Sequence, residues 1–197
     1  MGRLSLTEYF YLLLTGDEPT ENQRFFLDLL LVAIAEHGMM PTNVAARMTL
    51  AADPDSLQGA VAAGILGCGP VVLGTSEECA RLLDEAQGEV ASGGEPSAVA
   101  GEIVRAIHAS GGKMPGFGHP VHRPLDPRAE RILELADARG ASGPHVLLDL
   151  GFPSVAAKAV PILARTAGLL AHLAEEQEQP LGLALAAAAE KAVEHEH

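Results

Sequence analysis

A chain of 197 residues is long enough to bury a core of its own, and 48% apolar against 20% charged residues excludes a disordered polymer. The formal charge of −13 excludes a nucleic-acid binder that relies on a basic surface. It leaves room for an anionic small ligand, which needs only a few well-placed arginines.

Two cysteines, Cys68 and Cys79, read as ordinary thiols rather than a disulfide framework. No charged leader precedes an apolar run, and the longest apolar stretch, Ala60 to Gly74, is interrupted by glycines and a proline. The expectation is a cytoplasmic protein with no membrane segment.

Helical signals dominate from the first residues. "LSLTEYFYLLLTG" offers Ser5 or Thr7 as a cap and stops at Gly16. "PTENQRFFLDLLLVAIAEHG" pairs Thr20 with Gln23 in a capping box and predicts a long buried helix closing at Gly38. "PTNVAARMTLAA" and "DSLQGAVAAGILGCG" predict two more helices, the second rich in small residues that allow close packing.

"TSEECARLLDEAQGEVAS" begins with a Thr/Ser cap and first-turn acids. "SGGEP", residues 92–96, reads as a loop or hinge before "SAVAGEIVRAIHASGG". "DPRAERILELADARG" has Asp126 at the cap and Pro127 at the first helical position. "SVAAKAVPILARTAGLLAHLAEEQ" and "LGLALAAAAEKAVEH" complete an all-α reading.

One stretch stands apart: "GKMPGFGHPVHRPLDPRAERI", residues 112–132. Its glycines let backbone N–H groups approach a ligand, His119 can exchange a proton near neutral pH, and Arg123 and Arg128 flank a helix start. An anionic ligand fits this pattern, and so does a proline-rich turn with surface histidines. His119 and His122 lack further metal-type partners, so no metal is expected.

His37 follows an apolar helix, where either the helix C-terminus or a ligand could account for it. Arg165 sits in an apolar helix and needs an anion, as a structural ion pair or a ligand clamp. His172 reads as a satisfied helix histidine, and His195 and His197 as tail residues.

Together, "YLLLTGDEPT", "AIAEHGMMPTNVAAR", "SLQGAVAAGILGCGPVVLGT", "MPGFGHPVHRPLDPRAERI" and "ARTAGLLAHLAEEQ" resemble the citrate synthase family, most closely its citryl-CoA lyase-like branch. The resemblance implies a helical fold with a large and a small domain, shortened here, that works as a homodimer. Residues 1–92 would begin the large domain, 93–152 form the small-domain segment with the ligand turn, and 153–197 return to the large domain.

The implied reaction is reversible Claisen cleavage of citryl-CoA to acetyl-CoA and oxaloacetate. The coenzyme A thioester is the substrate, and no permanently bound cofactor is implied. His119 and His37 would be the catalytic histidines, and Arg128 and Arg165 would bind the dicarboxylate. Met114, Pro115, Gly116, Phe117 and Gly118 would line the coenzyme A site, with Arg123 on a phosphate.

Departures from the family pattern are as informative. Val72 stands where citrate synthases carry a catalytic histidine, which disfavours a citrate or methylcitrate synthase. Glu178 and Gln179 precede Pro180 where an arginine is usual. "GASGPHV" joins "LLDLGFP" directly, without the segment that holds the acid/base aspartate, and Asp149 does not match that position. The chain also begins late relative to the family. A non-catalytic, shortened homologue that folds as a helical dimer and binds coenzyme A or a dicarboxylate is therefore the alternative.

Overall fold

The computed structural model describes residues 2–116, 126–141, 152 and 157–193. Every regular element among them is helical: α1 Leu6–Thr15, α2 Glu21–Ala35, α3 Pro41–Ala52, α4 Leu57–Leu66, α5 Gly74–Ala91, α6 Pro96–Ala109, α7 Pro127–Ala138, α8 Ala159–Glu178 and α9 Gly182–Ala192. The all-α class is as the sequence predicts.

Local chemistry explains several of the helix ends. Ser5 and Glu8 close a reciprocal capping box on α1, and Gly16 ends it in the left-handed region at φ 86°. Thr20 and Gln23 exchange side-chain-to-backbone bonds of 2.7 and 3.3 Å at the start of α2. Asp126 caps α7 with Pro127 following it.

Two expectations need correction. Helix α2 ends at Ala35 rather than at Gly38, because Gly38 turns left-handed at φ 65° and Pro41 then starts α3. Nor is α2 buried along its length: Phe26 and Leu27 are fully enclosed, whereas Val32 is 78% exposed.

The chain forms two compact units, each assembled from separated segments. One comprises residues 1–30 and 74–159, the other 31–73 and 160–197. In the first, Tyr11 meets Phe152 edge-on at 5.1 Å, and the Arg139 guanidinium lies 3.6 Å over the Phe25 ring. The turn at 92–96 joins α5 to α6 inside this unit, with Gly93 at φ 103°. These two helices, together with Met114, enclose an apolar groove of about 480 Å³.

In the second unit, α3, α4 and α8 pack around Ala46, Leu50, Ala60, Leu169 and Leu173. Each fully buried leucine there contributes about 1.5–3 kcal/mol. Small residues set the spacing: a Cβ on Gly64 would stand 2.8 Å from Leu169, and one on Gly182 would stand 2.6 Å from the Arg47 carbonyl oxygen.

Candidate functional site

The buried face of α8 carries Pro161, Ala164, Arg165, Gly168, Leu169, Leu173 and Glu176, a stripe at helical spacing. Two of these are charged. Arg165 is 7% exposed and Glu176 4% exposed. Half-buried His172 lies on the same stripe, between them.

The connector from α2 to α3 lies against this stripe. The hydrogen on Gly168 faces the Ala35 carbonyl oxygen so closely that a Cβ would collide with it. His37 therefore belongs to a segment that docks on α8 one turn from Arg165. The connector is also tied internally. Gly38 N–H donates to Glu36 Oε1 at 2.8 Å, Met40 N–H donates to the Gly38 carbonyl at 2.8 Å, and the Asn43 amide donates to that same carbonyl. The Gly38 N–H, and next to it His172, holds the Glu36 carboxyl below its ordinary pKa.

Beneath the connector lies a polar cluster that sequence reasoning missed. Arg47, 1% exposed, donates to Glu176 Oε2 at 2.9 Å and also pairs with Glu175. Its second terminal nitrogen stands 3.0 Å from His172 Nδ1, while His172 Nε2 stands 3.0 Å from Glu36 Oε1. His172 is thus a satisfied helix histidine, as the sequence suggests. The available signal for Arg47 was the one applied to Arg165, an arginine inside an apolar helical pattern that must find a carboxylate.

The other predicted residues that fall within the described part lie in the first unit. Met114 lines the α5–α6 groove. Gly116 is left-handed at φ 80°, and a Cβ there would run into the Cys79 side chain, so only glycine suits this point of the turn. Burial pushes the Cys79 thiol pKa up. Arg128 is engaged by Asp126, its Nε bonding Oδ1 at 3.0 Å and its NH2 bonding Oδ2 at 2.6 Å. Those bonds raise its pKa and neutralise part of the charge that a dicarboxylate would use.

Phe117, Gly118, His119, His122, Arg123 and Asp149 lie outside the described residues. Among the described residues no three His, Cys, Asp or Glu side chains are placed to hold a metal. No helix among them is long and apolar enough to cross a membrane.

Residues 2–150 match the family model "Citrate synthase, C-terminal domain". The chain is 30% identical over 131 residues to citrate synthase 2 of Bacillus subtilis, a match covering 66% of this chain and 33% of that protein. It thus spans about a third of the length of that curated relative. Among solved structures it is similar to citryl-CoA lyase from Hydrogenobacter thermophilus, with TM-score 0.79, 27% identity, and coverage of 90% of this chain and 78% of that one. Citrate synthase from Thermotoga maritima shares the fold at TM-score 0.66 and 23% identity, covering 89% and 55% respectively.

Proposed function

Because the chain belongs to the citrate synthase family, we propose that it is a citryl-CoA lyase-like enzyme that splits citryl-CoA reversibly into acetyl-CoA and oxaloacetate. The observation that carries this reading is the likeness to the Hydrogenobacter thermophilus lyase, 78% of whose chain is matched. Val72, where the family's synthases carry a histidine, supports lyase over synthase.

In this reading His119 accepts the citryl hydroxyl proton as the carbon–carbon bond breaks, leaving the oxaloacetate carbonyl and an acetyl-CoA enolate. His37 and Arg165 face the dicarboxylate, and Arg128 binds it in competition with Asp126. Residues 114–118 and Arg123 hold the coenzyme A moiety. Several cations converging on a multiply anionic substrate are what such a cleavage requires. The thioester is itself the substrate, so the reaction uses no resident cofactor, and the chain works as a cytoplasmic homodimer.

The enolate carbon must still receive a proton, and the segment bearing the family's aspartate has no counterpart between 144 and 150. That favours a second reading, a shortened homologue that binds without cleaving. Loss of a general acid–base group typically costs about 10²–10⁴-fold.

Purified protein given citryl-CoA, with oxaloacetate release followed and coenzyme A binding measured by calorimetry, separates the two. Turnover that His119→Ala abolishes at unchanged helicity supports the lyase and makes Asp149 the next residue to replace. Binding without turnover supports the scaffold. Neither binding nor turnover would remove both.

A further inference from the structure

The cluster under the α2–α3 connector has a directional order. Arg47 can only donate, so the nitrogen it meets at 3.0 Å, His172 Nδ1, must be the ring's acceptor. Nε2 then carries the proton and donates to Glu36 Oε1 at 3.0 Å. The same Glu36 oxygen accepts the Gly38 N–H. A buried arginine anchored by Glu176 is therefore linked, through one imidazole and one carboxylate, to the residues on either side of His37.

We propose that His172 is a positioning residue for His37, transmitting the fixed location of Arg47 through Glu36 to the His37 connector. The inference rests on the reading of His37 as a site residue. His172 touches no reacting group; its role is to set where the other imidazole stands. Glu36 supports this division of labour, for its side chain is 70% exposed and contributes little to the core, yet it holds both His172 and Gly38. Without the His172 bond, the connector would keep its internal turn and lose its tie to α8 at this point.

The test reads His37 directly. In the 197-residue protein labelled with ¹³C-histidine, the His37 ring signal is assigned by its loss in His37→Gln. In His172→Ala and in Glu36→Ala that signal is expected to shift or broaden. His172→Gln, whose amide can accept from Arg47 and donate to Glu36, should restore it. Oxaloacetate affinity should fall on the order of 10–100-fold in the two alanine variants, the size expected when a supporting residue lets a site group drift by about 1 Å.

Glu36→Ala keeps the experiment decisive if His172→Ala fails to fold, since Glu36 is largely exposed. An unmoved His37 signal in Glu36→Ala, or in a folded His172→Ala, overturns the proposal. So does a displaced signal that His172→Gln leaves displaced. A wild-type protein that binds no oxaloacetate would count against the proposed function, while the ring signal would still decide the positioning role.

Discussion

With 4% of its surface exposed, Glu176 accepts one bond from the Arg47 guanidinium and two from the N–H groups of Leu181 and Gly182, at 2.8 and 2.7 Å. Burial alone would push its pKa up. The Gly182 N–H, Arg47 and the Leu181 N–H outweigh that and hold it below its ordinary 4.5. The folded state thus binds the proton less readily than the unfolded one. The resulting stability is fully present above about pH 4.5 and is lost as the pH falls through the depressed folded value. Glu176→Ala takes away one of the two carboxylates on Arg47 and leaves the Leu181 and Gly182 amides without their acceptor, and should cost about 1–3 kcal/mol in urea unfolding at neutral pH. Glu176→Gln should cost less and flatten the acid limb of the stability profile. An unchanged acid limb would mean that other carboxylates dominate it.

Among the helices, glycines make the sharpest contrasts. At Gly168 and Gly182 an added methyl meets backbone, the Ala35 and Arg47 carbonyls respectively, so neither neighbour can yield by rotating a side chain. Gly168→Ala and Gly182→Ala should each destabilise by about 1–3 kcal/mol. Gly88, inside α5 with nothing within 4 Å of its Cβ position, should respond oppositely, gaining about 0.5–1 kcal/mol as alanine. Denaturant midpoints of the three variants check the signs. These elements were largely legible in the sequence because caps are local: Ser5 with Glu8, Thr20 with Gln23, and Asp126 with the Arg128 N–H each satisfy amides within a few residues. The end of α2 was not, since Gly38 is the evident stop in the sequence while the helix already ends at Ala35, before Glu36 and His37. Nor was the partner of Arg47, 129 residues away, because helical periodicity says which face is buried and not what meets it.

At the scale of the whole molecule, the described residues proposed for ligand binding occur in both units: Met114, Pro115, Gly116 and Arg128 in one, His37 and Arg165 in the other. The chain as a whole carries a formal charge of −13. A net charge of that sign opposes the approach of the polyanionic thioester proposed as substrate. Raising ionic strength from about 0.01 M to about 0.1 M shrinks the screening length from about 30 to about 10 Å. Association of coenzyme A should therefore quicken over that range, the reverse of ordinary electrostatic steering. A stopped-flow rate that falls monotonically would show that the local cations govern the encounter as well.

The seating of α9 has a consequence in time. Its N-cap, Leu181, supplies no side-chain bond, so the helix borrows Glu176, a carboxylate already committed to Arg47 on α3. Eleven residues are too few to persist as a helix unaided, and Gly182 comes to rest on the Arg47 carbonyl. This last helix is thus a latch that cannot fasten until α3 and α8 have met. Disturbances within it should hasten the opening of the folded state and leave the rate of its formation almost untouched.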